Sequence, residues 1–218
     1  MKSETLCTRI DDKRVKRYDK INSACSAVIA VLTMLLGLIV LTYALFSPIL
    51  VDGTSMENSY HDGQTVIMMT FWSSPNRGDV VIVKHEDENF IKRVVAVGGD
   101  RVGFVKDDSS DRVYLYVDKG NGFEKQTETY IKDGLMTDRR EVFTDIRPYL
   151  SEQALNLGGG LKLASDELYL LGDNREHSAD SRKYGPFKES DVKGKVVGVV
   201  DNAFLKTIFT LLYGDVEA

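Results

Sequence analysis

The stretch from Ala24 to Phe46, ACSAVIAVLTMLLGLIVLTYALF, contains no charged residue. Coiled as a helix at about 1.5 Å per residue, it is long enough to cross a hydrocarbon core of about 30 Å. Lys13, Arg14, Lys16, Arg17 and Lys20 stand just before it, whereas Asp52, Glu57 and Asp62 follow it and no basic residue recurs until Arg77. Cytoplasmic flanks of membrane helices are enriched in Lys and Arg, so this asymmetry predicts a cytoplasmic N-terminus and an extracytoplasmic remainder. A cleaved secretory signal would have a shorter apolar core of roughly 7 to 15 residues and a small-residue exit site. The run here is longer and leaves through Tyr43-Ala44-Leu45-Phe46-Ser47-Pro48, without an Ala-x-Ala pattern, so it reads as a retained single-pass anchor.

Beyond the anchor the hydrophobic period changes. Thr65–Met69, Asp79–Lys84, Arg93–Val97, Arg112–Val117, Leu168–Leu171 and Lys195–Val200 are short runs rich in β-branched or aromatic residues. They are separated by turn formers such as Gly98-Gly99-Asp100, Gly120-Asn121-Gly122 and Gly172-Asp173-Asn174, which predicts a mainly β domain. Between 106 and 165 the sequence turns polar and irregular, with a helix expected around Ile146–Leu157 and Gly158-Gly159-Gly160 near its end, so this region reads as an inserted subdomain. The apolar segment Phe204–Tyr213 is too short to span a bilayer; it fits an interfacial helix or an ordinary packed helix or strand.

Composition removes several functions. With 28 Lys plus Arg against 33 Asp plus Glu, the chain lacks the basic field that nucleic acids require. Cys7 and Cys25 both lie at the front, so nothing downstream forms a disulfide, a Cys-based zinc site or a catalytic cysteine. His61, His85 and His177 show no metal-ligand spacing, and neither a metal nor another cofactor is expected.

Three separated segments carry reactive side chains: Gly53-Thr54-Ser55-Met56, Lys92-Arg93-Val94-Val95, and the polar stretch Gly172–Arg182. Taken singly, Ser55 reads as a turn serine, Lys92 as a strand-end lysine and the third segment as a loop held by an ion pair. Taken in order, they resemble the bacterial signal peptidase I family of Ser/Lys-dyad proteases. The resemblance rests on the topology, the Ser-Met box, Arg77-Gly78-Asp79-Val80-Val81, the Lys92-Arg93-Val94-Val95 box running into Gly99-Asp100, and the GDNRxxSxDSRxxG box ending at Gly185.

That resemblance implies a coiled β-sheet domain behind one N-terminal transmembrane helix. It divides the chain into a basic cytoplasmic segment 1–23, an anchor 24–46, a catalytic β core of 47–105 and 166–218, and an insertion 106–165. It also implies Ser55 as nucleophile, Lys92 as general base and Ser178 as the hydroxyl that orients the amine. The chemistry is coherent, since a serine hydroxyl needs a base and a lysine can serve only when neutral, with its pKa lowered by burial. Met56, Phe90, Ile91, Val94 and Val95 are the expected apolar surroundings. Asp180 and Arg182, two apart and expected on one face of an extended strand, are assigned an ion pair that shapes the box, and Asp173 is expected to pair with Arg93. Gly53 replaces a serine that assists the oxyanion in some relatives, which leaves the Ser55 N–H as donor.

The implied partners are signal peptides of exported preproteins, with small residues at the first and third positions before the cut, and the lipid bilayer. Glu57-Asn58-Ser59, Gln64 and Gly98 depart from the family pattern around Met56 and in the neighbouring boxes without removing an atom of the Ser/Lys pair. A self-cleaving Ser/Lys protease of the LexA-like type would be soluble and carry a DNA-binding region. An inactive membrane scaffold for surface-protein assembly would have no need of Ser55, Lys92 and Ser178 together, and a Ser-His-Asp hydrolase would need a GxSxG elbow.

Overall fold

The computed structural model describes residues 2–71, 74–106, 112–131, 136–137, 159–200 and 207. The segments expected as a helix at 146–157 and as an apolar terminus at 204–213 lie outside them, apart from Thr207. The chain divides into two units, 1–45 and 46–218.

The first unit is one helix, α1 (Lys2–Leu45). It begins well before the apolar run because the charged N-terminal residues hold no Pro or Gly to interrupt a helix. It ends one residue short of the expected boundary. Pro48 drives Ser47 into extended geometry, and Phe46 already opens the first strand. Its portion Arg14–Leu45 is long and apolar enough to cross a membrane. Val31, Leu32 and Met34, on different sides of the helix, are each more than half exposed. A helix apolar all round is suited to lipid rather than to one face of a soluble core.

The second unit is mainly β. Its strands in chain order are β1 (Phe46–Leu50), β2 (Thr65–Met69), β3 (Val80–His85), β4 (Glu88–Ala96), β5 (Arg101–Lys106), β6 (Arg112–Asp118), β7 (Phe123–Lys125), β8 (Met136–Thr137), β9 (Leu161–Lys162), β10 (Glu167–Leu171), β11 (Phe187–Lys188) and β12 (Val192–Val199). A one-turn helix, α2 (Ser181–Tyr184), lies between β10 and β11. Among the described residues one sheet runs β1-β2-β12-β3-β4-β10-β11 and a second runs β7-β6-β5-β9, with β8 also on β6. All these pairings are antiparallel. Register shifts in β12 and β10 add the local twist that coils the larger sheet.

The β3–β4 hairpin is longer than the apolar pattern suggests. His85 pairs with Glu88 across the two-residue turn Glu86-Asp87, with Glu86 at φ 53°, so β4 begins five residues before the expected Arg93. Lys92 therefore sits inside a strand rather than at its end. Pairing with β10 covers only Arg93–Ala96 of β4. Among the described strands none pairs with the outer edge of Glu88–Lys92 or with the side of β1 away from β2.

Alternation along β3 feeds both faces of the larger sheet. Val80 and Ile82 join Val51, Met56, Val66, Met68, Ile91 and Val196 on one side, while Val81 and Val83 join Val94, Leu168, Leu170 and Phe187 on the other. A third cluster lies between the sheets, where Val95, Ala96, Tyr169 and Leu171 meet Val102, Phe104, Leu115 and Val117. Phe104 is 1% exposed there, with its ring centroid 6.1 Å from that of Tyr169. Phe104→Ala is expected to cost about 3 to 5 kcal/mol, read as a lowered denaturant midpoint of the detergent-solubilised protein.

Candidate active site

Ser55 is presented by a closed loop between β1 and β2. Val51 N–H donates to Gln64 O and Gly63 N–H to Val51 O, which fastens the loop's base. Gly53, at φ 85°, takes a left-handed conformation that a side chain would resist, and its N–H donates to Asp62 Oδ1 at 2.8 Å. Met56, fully buried between Val51, Val66 and Ile91, pins the next turn. Asn174 holds the loop from the opposite side, its N–H on Ser55 O at 3.0 Å and its side-chain amide on Thr54 O at 3.0 Å. The Ser55 N–H has no hydrogen-bond partner among the described residues.

Lys92 reaches this turn from β4. Its Nζ lies 2.9 Å from Ser55 Oγ and 2.9 Å from Ile91 O, and the residue is 3% exposed. The Phe90 ring lies 5.3 Å away. Ile91 and Met56 pack together in one apolar cluster and Val94 and Phe90 in another, whereas Val95 joins the cluster between the sheets. Burial is the dominant cause that brings the amine's pKa down to about 8, with Arg182 adding to the fall and Asp180 and Asp173 opposing it. The charged amine donates to Ser55 Oγ; the neutral amine can instead accept the Ser55 proton, since deprotonation gives nitrogen a lone pair.

The segment from Gly172 to Gly185 forms the wall behind this pair. Asp180 and Arg182 make a bidentate pair at 2.7 and 2.7 Å, with both side chains fully buried. The expected shared strand face is corrected: Asp180 caps α2, accepting the Arg182 N–H, because its short carboxylate satisfies an otherwise unpaired helix N–H. Asp180 also accepts the Gly172 N–H at 2.9 Å. Burial pushes its carboxyl up, but Arg182 and these hydrogen bonds outweigh that and hold it below the usual range.

Gly172 is a point of close approach. A Cβ there would overlap Ser178 Oγ and Cβ and Ser55 O. Ser178 itself is buried. It does not hydrogen-bond to Lys92 as expected, the Ile91 carbonyl taking that place beside Ser55. Its Oγ meets no partner at hydrogen-bonding geometry, and its nearness to Asp180 is the weakest of the influences on that carboxyl.

Arg93 and Asp173 come together as a bidentate pair at 2.8 and 2.6 Å. Ser59 Oγ donates to the same carboxylate at 2.5 Å, and Arg93 Nη1 donates to Gly78 O. Asn174, Asp62 and Ser59 were not singled out in the sequence. Asn174 lies within the Gly172–Gly185 box and could have been weighed with it, but nothing in a linear pattern ties Asp62 to Gly53 or Ser59 to Asp173.

A cleft of about 560 Å³ opens onto the pair, with Ile49–Asp52 on one bank, Asp87–Lys92 on the other, and Ile82 and Ala179 completing it. The two banks are the end of β1 with the residues that follow it and the first half of β4, whose outer edges pair with no other described strand. The site thus combines an extended slot with a hydroxyl and a deprotonatable amine at hydrogen-bond distance, an arrangement that can move a proton from oxygen to nitrogen as the oxygen attacks an electrophile.

Residues 23–200 match the family model described as signal peptidase, peptidase S26, and the chain belongs to that family. A signal peptidase I of Bacillus amyloliquefaciens is 28% identical over 84% of this chain and 89% of its own length. One from Bacillus licheniformis is 30% identical over 77% and 82%. A solved signal peptidase I from Enterococcus faecalis, 23% identical, covers 57% of this chain and 98% of its own, with a TM-score of 0.38.

Lys92 is expected to titrate with a midpoint near 8 when its side chain is followed by NMR in labelled protein. A midpoint at the ordinary lysine value of about 10.4 would contradict the burial described above.

Proposed function

We propose that this protein is a membrane-bound serine endopeptidase that removes signal peptides from exported preproteins, with Ser55 as nucleophile and neutral Lys92 as general base. The observation that carries this reading is the 2.9 Å separation of Lys92 Nζ from Ser55 Oγ at an amine withdrawn from water. Ser55 Oγ attacks the scissile carbonyl carbon as Lys92 takes its proton, giving a tetrahedral intermediate whose oxyanion the free Ser55 N–H can receive. Collapse breaks the C–N bond, and Lys92 returns the proton to the departing amine of the mature protein. Water, deprotonated by the same amine, then hydrolyses the acyl-enzyme and frees the signal peptide.

The open edges of β1 and β4 support binding of the substrate as an added strand. Ile49, Ile82 and Ile91 along the slot support shallow apolar pockets for small side chains such as Ala at the first and third positions before the cut. Asp180–Arg182 and Asp173–Arg93 hold the frame, and Ser178 supplies a buried hydroxyl near the pair. Residues 24–46 serve as anchor in the bilayer. The basic residues preceding them support a cytoplasmic N-terminus and, with it, a site on the extracytoplasmic side, near the end of an exported signal sequence. Tethering enzyme and substrate in one membrane raises their effective concentration.

Purified protein in detergent or liposomes is expected to cut a preprotein at an Ala-x-Ala site. Ser55→Ala and Lys92→Ala should each lower kcat by at least about 1000-fold while leaving the fold intact by circular dichroism. Full activity in either variant would remove the dyad reading. Because the base must be neutral, kcat/KM should rise about tenfold per pH unit below pH 8 and level off above it. A rate independent of pH between 6 and 9 would contradict a lysine base.

A further inference from the structure

The stretch leaving β7 reaches the back of the site. Glu128 accepts from Arg175 through both oxygens, Nη2 to Oε1 at 2.5 Å and Nη1 to Oε2 at 3.0 Å, and the side chains are 9% and 1% exposed. Tyr130 OH donates to Glu128 Oε1 at 2.7 Å, and its ring lies 4.0 Å from the guanidinium carbon of Arg93, the residue after Lys92.

Arg175 ties this stretch to the reactive pair. Its Nε donates to Gly172 O at 2.9 Å, and its own carbonyl accepts from Arg182 Nη1 at 2.8 Å. Gly172 is where the wall comes so close to the Ser55 carbonyl and Ser178 that a Cβ would overlap both, and Arg175 holds the Gly172 carbonyl. A buried guanidinium deprived of its carboxylate will move toward water or another anion, because leaving a charge unpaired in the interior is strongly unfavourable.

We propose that Glu128 is a positioning residue for the Ser55–Lys92 pair, acting through Arg175 to seat Gly172 against Ser55 and Ser178. Tyr130 couples the same carboxylate to Arg93, so the connection also reaches β4, the strand that carries Lys92. This inference rests on the reading of Ser55 and Lys92 as a catalytic pair, and its test separates the two.

The experiment compares wild type, E128Q, R175M and E128Q/R175M by preprotein cleavage, thermal unfolding and NMR titration of the Lys92 side chain. In E128Q, kcat should fall at least tenfold with KM within twofold, and the Lys92 midpoint should rise from about 8 as the loosened wall admits water. In the R175M background, adding E128Q should change kcat and the midpoint by less than twofold and 0.3 unit on the order of measurement error, since the route through Arg175 is already cut. Should E128Q alone fail to fold, E128D, which keeps the charge but shortens its reach to Arg175, supplies the same comparison: kcat should fall with KM within twofold and the Lys92 midpoint should rise. A lowered Tm with kcat and the Lys92 titration unchanged would overturn the proposal, as would a further tenfold loss in the Arg175 background. If wild type cleaves nothing, the catalytic reading fails, while the shift of the Lys92 midpoint still decides the role of Glu128.

Discussion

A lysine amine kept out of water beside a serine hydroxyl is the constraint to which the rest of the β unit answers. Burial alone would favour expelling the side chain or neutralising it, and the fold prevents expulsion by placing Lys92 within β4, between the β3 pairing and the wall of Gly172–Gly185. The charges nearby are arranged with near balance. Asp180 and Asp173 would hold a proton on the amine, but each is engaged by its own arginine, so desolvation decides the outcome. If either arginine were lost, a free carboxylate close by would favour the ammonium form of Lys92.

The same economy governs Ser55. Its loop is held by Asp62 on Gly53, by buried Met56 and by Asn174, which grips two successive carbonyls. None of these contacts uses the hydroxyl or the N–H of Ser55. The Ser55 and Thr54 carbonyls are therefore what fix the residue, and its hydroxyl and N–H are left out of the scaffold. Ser178 follows a related logic: a buried hydroxyl without a hydrogen bond is unfavourable, and it sits beside the reactive pair rather than elsewhere in the core.

The apolar helix, the β character of the remainder and the segments meeting at the cleft could all be read from the chain, because each leaves a local pattern: an uncharged run, alternating β-branched residues, turn-rich boxes. The pairing of Arg93 with Asp173 lay within reach for the same reason, as both belong to those boxes. Relations that exist only after folding were not legible. β4 extends back to Glu88 because of a two-residue turn that Glu86 and Asp87 do not advertise, and Asp180 caps a helix of one turn, too short for any period to betray. Glu128 illustrates the limit best. It lies in a polar stretch with no motif and meets Arg175 only because the second sheet folds back over the first.

The slot between β1 and β4 is, in material terms, a sheet with one strand missing. Exposed ladder edges invite any passing β-segment to stick, so a protein that keeps one open must discourage the wrong occupants. Here Pro48 withholds an N–H from β1, and Glu86, Asp87 and Glu88 crowd charge onto the tip of the opposing hairpin. An apolar strand from a misfolded neighbour would have to pack against that carboxylate cluster in any stack. A gap guarded in this way admits a single extended segment more readily than a growing stack of strands.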